Sequence, residues 1–240
     1  RVNMRDFRTM TEIAAHKLRR AILFGELTAG TRLIPAKLEV EMDLSRVSIR
    51  EAIRELVGSG LVDSTTHKGA FVAEPLDLSE IKEIFKVRYD VEGRAAFLGT
   101  KKITDSDIVR LEEIVETEFK ELPGNYDSFF LNNEFHMILY RASGWRYLIK
   151  MIARINDQTM AYRASIYQRL REQKGEDLLR FADYKPFHDD HLQILAAIKA
   201  GNAADVRKYT VINKKRGLAN ITELSAELNN KKSRSIYGAR

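Results

Sequence analysis

Several residue types are scarce or absent in this chain of 240 residues, and each absence excludes a class of structure. There is no cysteine, so neither disulfides nor thiolate metal sites can form. No run of about 18 apolar residues occurs, which argues against a membrane-spanning helix. Only four prolines and 13 glycines interrupt the chain, and the apolar residues recur with helical spacing. We therefore expect a mainly α protein without a membrane partner, located in the cytoplasm because no signal-peptide pattern is visible.

The charge of the chain favours an anionic partner without identifying one. Lysine and arginine together number 40, against 34 aspartates and glutamates, which gives a formal net charge of +6 at pH 7. Many basic proteins bind no nucleic acid, so this excess alone leaves the partner open.

Two regions with different patterns follow each other along the chain. The first has the spacing of three helices followed by two short β-type runs around a glycine. After the proline-containing stretch "EPLDLSE", every segment is helical, near 79–100, 104–121, 126–142, 145–173, 177–200 and 202–228. The patterns predict a winged helix-turn-helix domain over 1–75, a linker over 76–79, an all-helical bundle over 80–228 and a polar tail over 229–240.

The stretch "SRVSIREAIREL" places three arginines four residues apart, at Arg46, Arg50 and Arg54. On a helical wheel they span about 80° beside an apolar arc, to which we assign Val47, Ile49, Ala52, Ile53, Leu56 and Val57. One interpretation is a solvated face on which these arginines pair with Glu51 and Glu55. The other is a surface that binds phosphate.

The neighbouring segments favour the second interpretation. In a winged helix-turn-helix protein the third helix enters the major groove, where arginine pairs with guanine O6 and N7. Residues near the start of that helix reach base edges, which makes the candidates Arg46, Val47, Ser48 and Arg50. Arg54, one turn further on, would reach a phosphate or a carboxylate. The hairpin tip would contact phosphate or the minor groove through His67, Lys68 and Gly69, the last of which permits a tight turn.

Residues 18–72, from "LRRAILFGEL" to "HKGAFV", resemble the GntR family of bacterial transcription regulators. The matching positions are Leu18, Arg19, Ile22, Gly25, Leu27, Gly30, Leu33, Ser45, Arg46, Arg50, Glu51, Ala52, Leu56, Gly60, Leu61, Val62 and Gly69. The resemblance implies that Arg46 and Arg50 contact DNA and that Gly69 marks the wing. Three positions depart from the family pattern: Pro35 replaces a glutamate, Glu39 an alanine and Ser48 a proline.

The second region resembles the all-helical FCD effector domain of the FadR-type branch, through "EIFKVRYDVEGRAAFL", "NNEFHMILYRASGWRYL" and "HLQILAAIKAGNAADVRKYTVIN". Many members hold a divalent metal with one Asp and three His, which here become Asn132, His136, His191 and Asn213. Because a carboxamide is a poor zinc ligand, the resemblance implies at most a weakly bound metal, Zn or Ni, at His136 and His191. Helical spacing directs all four side chains into the bundle, which favours a polar cavity for an organic effector.

Arg88 is the other candidate effector residue, because it shares a helical face with apolar residues and should point inward. A buried guanidinium needs an acceptor. Glu92, four residues on, is one candidate, and a carboxylate or phosphate of a metabolite is the other. The resemblance implies a small organic or sugar acid.

These observations predict a ligand-responsive repressor that binds a palindromic operator in double-stranded DNA as a homodimer, and not an enzyme. The alternative is a metal-dependent enzyme that uses His136 and His191. The chain has no glycine-rich phosphate loop, nucleophile elbow or H-E-x-x-H motif to support it. A third class, a nucleoid-type binder without a ligand, does not explain the convergent polar residues.

Overall fold

The computed structural model describes residues 9–120, 126–174 and 185–237, which divide into two compact units. The first unit contains the described residues up to Asp77 together with Ala153–Gln168, and the second contains the remaining described residues. The sequence-based division keeps 80–228 in one domain, whereas the structure packs Ala153–Gln168 with the N-terminal unit.

The N-terminal unit is a winged helix-turn-helix. Its elements are α1 (Met10–Leu23), β1 (Arg32–Leu33), α2 (Pro35–Met42), α3 (Arg46–Ser59), β2 (Val62–Thr65) and β3 (Gly69–Val72). The strands form an antiparallel sheet in the order β1-β3-β2, in which Arg32 lies opposite Phe71. The predicted fold class is confirmed; β1 is an addition, since two residues are too few for a period to be visible.

Local capping determines the ends of α3. Ser45 is the N-cap, and its Oγ accepts a hydrogen bond from the backbone N of Ser48 at 3.2 Å. Gly60 ends the helix with φ of 80°, a left-handed conformation that glycine adopts without steric conflict. Asp43, which ends α2, has φ of 51° and is the one non-glycine residue with positive φ in the described ranges.

The N-terminal unit buries apolar side chains between α1 and α3, including Leu18, Ile49 and Leu56. Polar contacts join these helices to the later segment. Nε of Arg19 donates to Asp157 at 3.1 Å, and its Nη2 lies 3.2 Å from Glu55. Burial raises the pKa of Asp157, and Arg19 acts against this rise.

The second unit is a helical bundle. Its elements are α4 (Leu78–Thr100), α5 (Asp105–Lys120), α6 (Tyr126–Ala142), α7 (Arg146–Lys174), α8 (Lys185–Lys199) and α9 (Ala203–Tyr237). Residues Ala153–Gln168 of α7 belong to the first unit. A Cβ added at Gly99 would lie 1.9 Å from the backbone oxygen of Leu139, so the backbones of α4 and α6 are in direct contact.

Most predicted helix ends agree with the structure within a residue or two. The tail is the exception: it was predicted to begin at 229, whereas α9 continues to Tyr237. From Asn229 to Tyr237 the residues are compatible with a helix, and no glycine or proline interrupts this stretch. The predicted start of a helix at 177 lies outside the described residues. Across the described ranges, none of the helices combines the length and apolarity that a membrane span requires.

Candidate DNA-binding and effector sites

The outer face of α3 carries the predicted arginine stripe. Arg46, Arg50 and Arg54 are all exposed. Val47 is 71% exposed, so it belongs to this face rather than to the apolar arc to which the wheel assigned it. A valine on this face offers an apolar contact of the kind made with thymine methyl groups.

The three arginines differ in how they are held. Arg54 pairs with Glu51 of its own helix. Arg46 pairs across the turn with Glu39 of α2, with its Nε 2.8 Å from the carboxylate. Arg50 makes no hydrogen bond or ion pair to the part of the chain that the structure describes. Arg50 therefore presents a complete set of donors to solvent.

Ser48 corrects one prediction. It was expected among the residues that face DNA, but it is only 7% exposed, and its Oγ lies 2.9 Å from Oγ of Ser45. The reason is angular: two residues rotate a helix by about 200°, so Ser48 lies on the side opposite Arg46.

The wing places exposed residues beside the sheet. His67 and Lys68 are exposed between β2 and β3, and Gly69 has the predicted positive φ, 91°. Arg32 of β1 is a neighbour that the sequence analysis missed. Its guanidinium lies 6.0 Å from the ring centroid of Phe71, and a Cβ added at Gly69 would be 3.6 Å from its Nε. The pairing of β1 with β3 brings this arginine to the wing.

In the second unit, the four polar positions that the family resemblance singled out, Asn132, His136, His191 and Asn213, come together. Nε2 of His136 lies 3.0 Å from Oδ1 of Asn213 and 3.2 Å from Nε2 of His191. Nδ2 of Asn132 lies 3.4 Å from the same His191 nitrogen. His136, His191 and Asn213 are buried, and Asn132 is half-buried.

A buried carboxylate that the sequence analysis missed orients this cluster. Oε2 of Glu118 accepts from Nδ1 of His191 at 2.8 Å, which makes Nε2 of His191 an acceptor when the ring is neutral. Nε2 of His136 then carries the proton and donates to Asn213. Nδ1 of His136 is consequently an acceptor, and it is a buried atom without a hydrogen-bond partner among the described residues.

A second group of buried charges adjoins the histidines. Glu92 accepts from Arg88, as one of the two interpretations of that arginine predicted, and from the hydroxyl of Tyr140 at 2.6 Å. Nζ of Lys214, also buried, lies 3.6 Å from the same carboxylate. Burial alone would raise the pKa of Glu92, but Arg88 and Lys214 outweigh that effect and lower it.

The surroundings of His136 disfavour a positive charge on its ring. Burial is the largest cause that lowers the pKa of this histidine well below its usual value, and Lys214, His191 and Arg88 lower it further. One turn before Lys214 on α9, Oγ1 of Thr210 is also buried without a hydrogen-bond partner in the described ranges. An unsatisfied buried polar atom costs about 1–3 kcal/mol, so this region contains two atoms that a ligand could satisfy.

Asp190 contacts the amide nitrogen of Asn213, on the side away from His136. Its carboxylate accepts from Nε of Arg216 at 2.7 Å and from Nδ2 of Asn213 at 3.4 Å. With its amide nitrogen engaged in this way, Asn213 directs its oxygen to His136.

The donor set does not fit a tight transition-metal site. Asn132, His136, His191 and Asn213 supply two imidazoles and two carboxamides, none of which carries the negative charge that compensates a dication. Within the described residues, no three His, Asp, Glu or Cys side chains are arranged to hold a metal ion.

Two residues of the buried cluster, Glu118 and Lys214, were not predicted from the sequence, although the position of Glu118 could have indicated its role. Glu118 follows Leu111, Ile114 and Val115 on the buried face of α5, where an acidic residue signals a buried partner. Lys214 follows Asn213 directly, and only the packing of α9 shows that it too is buried.

Comparison with known proteins agrees with both halves of this description. Residues 10–72 match the family described as bacterial regulatory proteins, gntR family, and residues 83–211 match the FCD domain. The HTH-type transcriptional regulator YdhC of Bacillus subtilis is 26% identical over 199 residues, which cover 82% of this chain and 84% of YdhC. The HTH-type transcriptional repressor RspR of Escherichia coli is 28% identical over 127 residues, covering 51% of this chain and 54% of RspR.

A solved structure shares the fold. E. coli McbR/YncC superposes with a TM-score of 0.72 at 22% identity, over 90% of this chain and 99% of that chain.

Proposed function

This chain belongs to the GntR family of bacterial transcription regulators and carries an FCD effector domain, and from that premise we propose that it is a cytoplasmic repressor controlled by a small anionic metabolite. The matched families and relatives are regulators of transcription. They give no support to the alternative of a metal-dependent enzyme at His136 and His191. That one relative is named a repressor supports the direction of control.

The operator is a rough palindrome bound by a homodimer. A single winged module presents one short helix and one hairpin, which bury little DNA surface. Two copies related by a two-fold axis double that surface and read half-sites about one helical turn apart.

Arginine substitutions test the DNA contacts. Arg46→Ala and Arg50→Ala should each weaken operator binding by about 1–3 kcal/mol and relax the base preference at one position per half-site. Arg54→Ala is the matched control, because Arg54 lies further along α3, away from the start of the helix that reaches base edges. Equal affinity of the Arg46 and Arg50 variants for the selected operator, measured by gel shift, would contradict the assignment.

The effector proposal depends most on one observation: Nδ1 of His136 is buried without a hydrogen-bond partner among the described residues, near the cations Arg88 and Lys214. A carboxylate placed there gains from Lys214 and Arg88, whose charges both lower the pKa of His136. Nδ1 of His136 offers an acceptor to a donor such as an alcohol. An acid that also carries a hydroxyl group, as a sugar acid does, satisfies both requirements.

A thermal-shift screen of hydroxy acids and sugar acids tests this idea, since a ligand that binds only the folded state raises its stability. The hit is then titrated against Lys214→Met and Lys215→Met. Both variants lose one positive charge, but Lys215 is exposed and lies over the ring of Tyr89. We expect a large loss of affinity only for Lys214→Met; an equal loss in both variants would mean that long-range charge, and not a local contact, attracts the ligand.

A metal analysis tests the expectation that the polar cluster does not bind a transition metal tightly. Purified protein should contain little tightly bound Zn or Ni, and Asn132→Asp combined with Asn213→His should raise metal affinity sharply. One equivalent of transition metal per wild-type chain, retained after treatment with a chelator, would contradict this expectation.

A further inference from the structure

Glu39 lies where it can determine how the first arginine of α3 reads DNA. One carboxylate oxygen accepts from Nε of Arg46 at 2.8 Å and lies at the same distance from its Nη2. The other oxygen accepts from the backbone N of Arg46 at 3.3 Å. Glu39 thus contacts both the side chain and the first helical peptide of α3.

The contact uses only part of the guanidinium. Arginine carries five N–H donors in a planar fork, and Glu39 engages the edge formed by Nε and Nη2. The edge formed by Nη1 and Nη2 stays available for a bidentate contact with guanine O6 and N7. The side chain of Arg46 remains 53% exposed in this arrangement.

A carboxylate next to DNA has two opposing effects. Its charge repels phosphate, which weakens binding to every sequence alike. Holding Arg46 in one geometry removes part of the entropy loss on binding, which otherwise amounts to about 0.5–1.5 kcal/mol for an immobilised side chain. Only the second effect depends on which base lies opposite Arg46.

We propose that Glu39 is a positioning residue for base recognition, which lowers the affinity for DNA in general and raises the discrimination between sequences. This inference depends on the proposed sequence-specific binding. Glu39 occupies a position where alanine is common in the GntR family, so the proposed role is particular to this chain and is not a general property of the family.

The chain supplies a matched control on the same helix. Glu41 is exposed, whereas Glu39 is half-buried; it carries the same charge and pairs with Lys37 at 3.4 Å, not with an arginine of α3. Glu39→Ala and Glu41→Ala therefore change the net charge equally. Glu39→Gln removes the charge but keeps an oxygen for the two Arg46 nitrogens.

The experiment begins with full-length wild-type protein and a pool of duplexes that have a randomised centre. Sequences retained over several rounds define an operator, and a scrambled duplex of equal length serves as the reference. Failure of the wild type to enrich any sequence would refute the proposed function itself, before the inference about Glu39 is tested.

Affinities for the operator, its single-base variants and the scrambled duplex are then compared. Glu39→Ala should lower the ratio of operator to scrambled affinity about 3- to 10-fold, mainly at the base pair that Arg46→Ala also relaxes. Glu41→Ala should leave the ratio unchanged, and Glu39→Gln should restore much of it. In an Arg46→Ala background, Glu39→Ala should have no further effect on the ratio. An unchanged ratio in Glu39→Ala, or an equal fall in Glu41→Ala, would overturn the proposal.

Discussion

Replacing Glu92 by glutamine tests whether the buried charges of the helical unit stabilise it as a group. The side chain of Glu92 is 1% exposed and contacts Arg88, Tyr140 and Lys214. Glutamine keeps the size but removes the charge, which leaves the cations of Arg88 and Lys214 without this counter-ion. Removing one partner of a buried ion pair costs about 3–5 kcal/mol, a large part of the roughly 5–15 kcal/mol that stabilises a typical domain.

Urea unfolding followed by circular dichroism measures this loss. Glu113→Gln is the control, since Glu113 is 57% exposed in its pair with Arg110 and should contribute no more than about 1 kcal/mol. If Glu92→Gln destabilised the protein no more than Glu113→Gln does, the charges of this cluster would not act together.

The pH dependence of the same difference provides a second test. Because the folded-state pKa of Glu92 lies below its ordinary value of 4.5, the folded protein keeps this carboxylate ionised at a pH where the unfolded chain takes up a proton. The contribution of Glu92 is therefore complete above the unfolded-state pKa and is lost as the pH falls through the folded-state pKa. The gap between wild type and Glu92→Gln should be constant from neutral pH down to about 5 and should narrow below that.

Substitutions at four other positions, Asp43, Gly99, His136 and Arg32, give further predictions. Asp43→Gly should stabilise the protein by about 0.5–1 kcal/mol in urea unfolding, because it relieves a left-handed backbone at φ of 51°. Gly99→Ala should prevent stable folding of the bundle, seen as a lost or much lowered melting transition, since its methyl group would overlap the α6 backbone. The pKa of His136 is lower in the folded protein than in the unfolded chain, so protonation below pH 6.5 favours unfolding. His136→Gln should therefore lose less stability than the wild type as the pH falls below 6.5. Arg32→Ala should weaken binding to operator and scrambled DNA alike and reduce the salt slope by about one, with Lys37→Ala as a control away from the wing.

Local patterns were enough to predict the features that depend on a single element. The turn at Gly69 was predicted from one residue and its immediate neighbours, and the cap at Ser45 and the helix end at Gly60 are equally local features. Helical spacing also directed His136 and His191 towards a common interior, where the structure places them 3.2 Å apart. Whether that interior binds an effector stays a prediction.

The features that were missed depend on contacts between distant parts of the chain. Arg32 reaches the wing only because β1 pairs with β3, and a two-residue strand has no readable period. The pairing of Glu39 with Arg46 depends on the angle between α2 and α3, which no helical wheel describes. Lys214 would be exposed on an isolated helix and is buried only by its neighbours.

The inclusion of Ala153–Gln168 in the N-terminal unit has a consequence for how the protein is made. A ribosome synthesises about 5–20 residues per second, so the stretch between Asp77 and Ala153 takes roughly 4–15 s to add. During that interval Arg19 and Ser59 lack Asp157, whose carboxylate interacts with both side chains in the complete protein. The N-terminal unit is thus complete only after Gln168 has been synthesised, when α4, α5 and α6 already exist. A nascent chain that ends before Ala153 lacks one segment of the N-terminal unit.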